Sequence, residues 1–93
     1  MVTINVAELV KGNLDHEDGS RLYHAIQSSL KKNSDVEINF SEVDIVTSSF
    51  LNTSFRILAA EYDYNFLKQH LKIKNSNTLI NKMIKECIES VIH

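Results

Sequence analysis

Two adjacent serines, Ser48 and Ser49, are the residues of this sequence best placed for chemistry. They stand between a short apolar run that ends at Val46 and a pattern of helical spacing that begins at Leu51. A serine at a helix start acts as a cap, because its hydroxyl accepts a hydrogen bond from an otherwise unpaired amide. The same position tolerates a phosphoryl group, since the helix dipole favours negative charge there. The pair therefore predicts a helix start, and it leaves open a cap or a phosphorylation switch.

The histidines and the cysteine do not form a recognisable site. The chain has four histidines and one cysteine, at His16, His24, His70, His93 and Cys87. No two of them stand three or four residues apart, which is the spacing of metal ligands on a helix. The cysteine falls on an apolar helical stripe, where a thiol is usually buried and inert. We therefore predict neither a metal site nor a catalytic centre, and we do not expect an enzyme.

Two glycines and an acidic cluster also lack the spacing of a known binding loop. Gly12 and Gly19 stand seven residues apart, which does not fit the glycine offsets of phosphate-binding loops. The acids Asp15, Glu17 and Asp18 do not match a calcium loop. Acids at the start of a helix are stabilised by its dipole. We therefore interpret the acidic cluster as a helix start and predict no cofactor.

Length and composition are those of one small globular domain, which we place over residues 1–93. A hydrophobic share of 43% and a charged share of 24% are typical of a folded protein. The formal net charge of -2 gives no basis for binding nucleic acid. No apolar run is long enough to cross a membrane, and the first residues do not resemble a signal peptide. A lone cysteine fits a reducing compartment, so we expect a cytoplasmic protein that contacts neither nucleic acid nor membrane.

Four short segments have the pattern of strands. An apolar segment near Ile4 and Val6 suits a first strand, and residues 36–40 alternate between apolar and polar side chains. A brief apolar run follows at 43–46. Residues 71–74 alternate with lysines, which commonly protect an exposed edge. Because the alternating strand is polar on one side, we expect a sheet with one covered face and one more polar face.

Three segments have helical spacing, and they decide the fold class. Apolar residues recur every three or four positions over 22–30, 51–62 and 80–91, and the last segment follows candidate capping residues at 76–78. The order is strand, helix, strand, short strand, helix, strand, helix. Helical crossovers join neighbouring parallel strands, so this order predicts an α/β domain with a small mixed or largely parallel sheet of about four strands.

The stretch from Val36 to Phe55, "VEINFSEVDIVTSSFLNTSF", resembles the STAS-like family of unknown function. This family is related to the STAS domains of sulfate transporters and anti-sigma factor antagonists. The shared plan is a hydrophobic strand that ends in an amide and an aromatic residue, a short turn, and a serine pair that opens a helix. The helix that follows Gly19 in "EDGSRLYHAI" also fits, so the resemblance extends from Gly12 through Tyr64.

The resemblance implies both a fold and a regulatory role. STAS domains are small α/β units with a sheet of about four or five strands and helices mainly on one face. In anti-sigma factor antagonists of bacteria, the second serine of an Asp-Ser-Ser-Gly signature is phosphorylated by a serine kinase that is also the anti-sigma factor. The unphosphorylated form binds this kinase, and phosphorylation releases it. By this resemblance Ser49 is the candidate phosphoacceptor, with Ser48 beside it.

Two residues around the serines depart from the antagonist signature. Thr47 replaces the aspartate, and Phe50 replaces the glycine. The aromatic ring of Phe50 would offer contact area to a docked protein at the position where the antagonists, with glycine, present only backbone. We therefore expect a surface for a docked protein around the serines. The candidate contact residues are Asn39, Thr47, Phe50, Asn52 and Thr53.

The leading hypothesis is a non-enzymatic regulatory domain that binds a protein partner at the serine pair. The STAS-like branch often accompanies a histidine-kinase-like ATPase, so the resemblance implies such an ATPase or a serine kinase as the partner. The alternative is a constitutive scaffold or homodimerisation module in which the serines only cap a helix. The two hypotheses differ in whether a charge at Ser49 changes binding.

Overall fold

The computed structural model describes residues 1–10 and 14–91 of the chain. Gly12 and His93, which carried predictions from the sequence, lie outside the described residues. The helices and strands follow one another as β1 (Val2–Asn5), α1 (Val6–Leu9), α2 (His16–Lys31), β2 (Val36–Asn39), α3 (Ser48–Asn52), α4 (Phe55–Glu61), α5 (Tyr64–His70), β3 (Leu71–Lys74) and α6 (Thr78–Glu89). The predicted α/β class is therefore confirmed.

The described strands form one parallel sheet in the order β1-β2-β3. Val36 is the partner of Val2 on one side and of Leu71 on the other, and the register continues from there along each pair. Right-handed crossovers that always step in the same direction place their helices on the same side of a sheet. Helices α2 to α5 lie in these two crossovers, so they share one face.

The two faces of the sheet differ as the alternation in β2 predicts. Ile4, Val36 and Ile38 are buried beneath the helices. The opposite face is polar, and its residues are Thr3, Asn5, Glu37, Asn39, Lys72 and Lys74. The prediction of one covered face and one polar face is confirmed, since helix packing removes only one side of each strand from water.

The sheet has three strands rather than about four, and it is parallel rather than mixed. The apolar run at 43–46 is irregular. The Val43 amide donates to the Phe40 carbonyl at 2.9 Å, which closes a turn, and Glu42 has a positive φ of 69°. Val43 and Val46 are nonetheless buried. The run is apolar because it covers the core, and not because it pairs in a sheet.

Three helical segments also differ from the sequence prediction. The first strand ends at Asn5, and Val6 begins the short helix α1. Helix α5, just before β3, had no predicted counterpart. The helix predicted over 51–62 is broken into α3 and α4, because the Ser54 hydroxyl donates to the Phe50 carbonyl at 2.7 Å. A side chain bonded in this way competes with the backbone bonds that would continue the helix.

Side-chain caps fix the starts of α2 and α6. The Asp15 carboxylate accepts from the amides of Glu17 and Asp18 at 3.1 and 3.2 Å. The Asn77 side chain accepts from the Ile80 amide at 2.8 Å. Both positions were predicted from the sequence as part of a helix start or cap, and both predictions are confirmed. No helix in the described residues is both long and apolar enough to cross a membrane.

The stability of the fold is expected to fall in alkaline solution through Tyr23. The Glu61 carboxylate accepts a hydrogen bond from the Tyr23 hydroxyl, and this bond together with burial raises the pKa of Tyr23 from 10.0 to about 12. The pKa of Tyr23 is higher in the folded than in the unfolded chain. The contribution of protonated Tyr23 to the free energy of unfolding is therefore complete below pH 10.0, and it is lost as the pH rises to about 12. Urea unfolding of the wild type and of Glu61→Gln across this range tests the prediction. The wild type should lose stability more steeply, and equal slopes would contradict the assignment.

Candidate functional site

Thr47 caps the serine-bearing helix α3. Its hydroxyl oxygen accepts a hydrogen bond from the Phe50 amide at 3.1 Å, and the hydroxyl donates to the Leu14 carbonyl. Thr47 therefore satisfies an amide that the helix itself leaves unpaired. Ser48 and Ser49 are the first two residues of the helix and do not make the capping bond. The cap and the serine pair are thus separate features of the site.

A buried aspartate connects this cap to helix α2. Asp18 is 1% exposed, and its carboxylate accepts from the Leu14 amide at 2.9 Å and from Arg21 Nη1 at 2.5 Å. Leu14 has a positive φ of 48° and presents its carbonyl to Thr47. Leu14 is therefore bonded at both of its backbone groups, since its amide donates to Asp18 and its carbonyl accepts from Thr47. The starts of α2 and α3 are fastened together, which fixes the direction in which the serines emerge.

Helices α2 and α3 approach closely at Gly19. A β-carbon at this position would lie 2.0 Å from Thr53 Oγ1 and 2.3 Å from the Phe50 carbonyl oxygen. The Thr53 hydroxyl lies in this contact and donates to the His16 carbonyl at 2.9 Å. Only a residue without a side chain fits here. The sequence suggested a helix around Gly19, and the structure shows that the glycine sets the spacing of two helices.

Both serine hydroxyls are exposed to solvent. Within residues 1–10 and 14–91 neither side chain makes a hydrogen bond. Ser48 lines a groove of about 250 Å³ between α3 and α6, together with Met83, Glu86 and Cys87. Ser49 does not line this groove. The two neighbouring serines therefore present different surroundings to an approaching protein.

Asn52 links the Ser48 groove to a second one. It lines the first groove and also an open groove of about 620 Å³ beside Arg56 and Ile57. Ser90 on the far side also lines both. The two grooves are therefore continuous along α3 and α4 on one side and the end of α6 on the other. Asn52, predicted as a contact residue, lies exposed at their junction.

Phe50 is not available to a partner, and this corrects the sequence prediction. Its side chain is 0% exposed and belongs to the hydrophobic core. Phe50 is the third residue of α3, and its ring packs into the core beneath the serines instead of lying exposed beside them. A buried ring cannot contact a docked protein. Phe50 therefore supports the site from the core, and it is no longer a candidate contact residue.

Asn39 and Thr53, like Thr47, are predicted contact residues whose side chains already have internal partners. Asn39 Nδ2 donates to Asn5 Oδ1 at 2.9 Å, and Asn39 Oδ1 accepts from Asn75 Nδ2 at 3.0 Å. These amides bridge the carboxyl ends of all three strands on the polar face. The Thr53 hydroxyl is occupied by backbone carbonyls. Neither side chain lines the groove that Ser48 lines.

Two exposed apolar residues, Ile45 and Leu79, were not identified from the sequence as surface features. Ile45 is 65% exposed and Leu79 is 51% exposed. Their segments meet where Asn77 Nδ2 donates to the Asp44 carbonyl at 2.8 Å. Ile45 belongs to the run that was interpreted as a strand, and Leu79 falls outside the predicted core stripe of α6. The residues around Ile45 have neither the alternation of a strand nor the spacing of a helix, and this was the signal in the sequence that Ile45 lies in a loop.

The remaining reactive groups have structural surroundings. Burial raises the pKa of the Cys87 thiol, and its sulfur lies 3.5 Å from the Leu51 carbonyl oxygen. A protonated thiol is a poor nucleophile. His70 Nδ1 lies 2.7 Å from the Asp35 carboxylate and joins α5 to the loop before β2. In the part of the chain that the structure describes, no three histidine, cysteine or acidic side chains cluster in a way that could hold a metal ion.

Comparison with protein families gives a match to the STAS-like domain of unknown function (DUF4325) over residues 18–81. These residues are more than two thirds of the chain. The chain belongs to this family. The match begins at the buried Asp18, includes the serine pair, and ends in the first turn of α6. It therefore starts later than the resemblance, which ran from Gly12 through Tyr64, and extends further toward the C-terminus. Searches of curated proteins and of solved structures gave no match.

Membership of the STAS-like family fits the fold. The matched residues contain β2, β3, the helices α3 to α5 and most of α2. Strand β1 lies outside the match. The family description assigns no activity, so the role of the site rests on its geometry.

Proposed function

We propose that this STAS-like domain is a non-enzymatic regulatory module of the bacterial cytoplasm that binds a kinase-like ATPase at the serine pair. Its partner is a protein rather than nucleic acid or a membrane. Phosphorylation of Ser49 controls the complex, with Ser48 as the second candidate acceptor. The contact surface consists of the two serines, Asn52, and the grooves that Asn52 joins.

The observation that carries the proposal is the separation of the cap from the serines. Thr47 supplies the capping oxygen, so the Ser48 and Ser49 hydroxyls are exposed and unused in the described structure. A phosphoryl group can be added to either hydroxyl without breaking a bond that holds the fold. If the serines served only as caps, their hydroxyl oxygens would accept hydrogen bonds from backbone amides of the first helical turn.

The surroundings of the two serines favour Ser49 as the acceptor. Ser48 shares its groove with Glu86, whose carboxylate opposes the added negative charge of a phosphoryl group. Ser49 does not line that groove. A partner seated along the groove would cover Ser48 and border Ser49. Phosphorylation at that border would add negative charge beside the covered surface, and the partner would dissociate.

Intact-mass analysis after incubation with ATP and a serine kinase encoded beside the gene tests the switch. We expect one phosphate on the wild type and none on Ser49→Ala, while Ser48→Ala, the matched control one residue away, is modified like the wild type. No phosphate on the wild type, or equal phosphate on Ser49→Ala, would remove the switch from the proposal.

A pulldown separates this function from a constitutive scaffold. Aspartate at position 49 adds charge at an exposed position and leaves the Thr47 cap intact, so Ser49→Asp should fold normally and bind the ATPase less well than Ser49→Ala. Equal binding of the two variants would favour the scaffold, in which the serines have no regulatory role.

A further inference from the structure

The two outer edges of the sheet are protected differently. The β3 edge carries Lys72 and Lys74, both exposed. Charged side chains of this kind discourage another strand from pairing. The β1 edge, "VTIN", carries no charge, and Val2 is 39% exposed. An uncharged edge with exposed apolar surface is a template for further pairing.

The hydrogen-bonding groups of β1 that face outward can be assigned from the ladder. The Val2 amide donates to the Asp35 carbonyl at 2.9 Å, and Val2 and Ile4 are the partners of Val36 and Ile38. Alternate residues of a parallel strand bond to the same neighbour, so Thr3 directs its N–H and C=O to the outer edge. Among the described residues no strand pairs with that edge.

The β1 edge is complementary to itself. An antiparallel pair centred on Thr3 would place Thr3 opposite Thr3 of a second copy and Val2 opposite Ile4 of that copy. Threonine pairs and apolar pairs stabilise such ladders. No like charges would meet in this arrangement. The same pairing at the β3 edge would bring Lys72 and Lys74 of two copies together, which is unfavourable.

We propose that a second copy of this chain docks on the β1 edge and continues the sheet across a two-fold axis, in the order β3-β2-β1-β1-β2-β3. The Val2 and Ile4 side chains of both copies would extend the apolar, helix-covered face across the junction. A four-residue strand buries less than the roughly 1,200 Å² at the lower end of stable interfaces. The dimer is therefore weak and depends on protein concentration. This inference does not depend on the role of the serines.

A proline at position 3 tests the edge directly. Proline is tolerated on an edge strand when the lost N–H faces solvent, and the extended residue before it also suits proline. We expect Thr3→Pro to fold and to sediment as a monomer, while the control Thr3→Val keeps the N–H and dimerises like the wild type. A wild type that stays monomeric throughout a concentration series, or a dimer unchanged in Thr3→Pro, would overturn the proposal.

A pair of charge variants decides the pairing even where the proline variant fails to fold. In the proposed dimer, residue 3 of one copy lies opposite residue 3 of the other. Thr3→Lys alone and Thr3→Glu alone should therefore each be monomers, because like charges would face each other. An equal mixture should form a mixed dimer, which native mass spectrometry identifies. Absence of the mixed dimer, or dimers in each variant alone, would contradict pairing centred on Thr3.

Discussion

Gly19→Ala is expected to lower the free energy of unfolding by about 3 kcal/mol, the upper part of the usual range for overpacking. The added β-carbon would lie 2.3 Å from the Phe50 carbonyl oxygen and 2.0 Å from Thr53 Oγ1. The first of these atoms is backbone, so α2 and α3 must move apart. Alanine within a helix otherwise gains about 1 kcal/mol over glycine. Local propensity and tertiary contact therefore predict opposite signs.

Ser28→Ala is the matched control, because Ser28 is exposed in the same helix. Urea unfolding should show an unchanged or slightly higher stability for this variant, since alanine is the better helix former. The Gly19→Ala variant should also show faster hydrogen exchange at the first amides of α3. If Gly19→Ala is as stable as the wild type, the close approach of the two helices is wrong.

Phe50→Ala is expected to cost about 3–5 kcal/mol, the usual loss for a large aromatic removed from a core. The Phe50 ring is 0% exposed and packs below the serine pair. A small domain has a total stability of roughly 5–15 kcal/mol, so the variant should be close to unfolding at ambient temperature. Circular dichroism during urea titration measures the effect.

The neighbouring Ser49→Ala variant serves as its control and should change stability by less than about 0.5 kcal/mol, since Ser49 is exposed. Phe50→Leu should recover much of the loss, because it refills part of the volume. The docking role that the sequence suggested for Phe50 predicts the reverse, with normal stability and weaker partner binding. A stable Phe50→Ala would therefore restore that earlier interpretation.

Several features of this fold were predictable because they depend on neighbours along the chain. The alternation in "VEINF" identified β2 and its single covered face, and the structure has both. The acids at the start of α2 and the polar residues at the start of α6 marked two helix starts. Caps and side-chain periods involve residues within one turn or one strand, so the sequence contains the whole interaction.

Other features required the folded chain, because their partners are distant in sequence. The run at 43–46 is as apolar as a strand, but it follows β2 after a short turn, and both edges of β2 are already paired with β1 and β3. The burial of Phe50 depends on how α3 packs against α2, across the close approach at Gly19. Periodicity cannot report such contacts, since burial in the core and pairing in a sheet require the same residue types.

The serine pair shows the same division. The sequence determined that a helix begins at "VTSSFL" and offered the two serines as its cap. The tertiary structure decided the outcome, because the Leu14 carbonyl, held by the buried Asp18, accepts the Thr47 hydroxyl and fixes its oxygen toward the Phe50 amide. The serines are left exposed since a residue 33 positions away in the chain completes the bonding of the threonine.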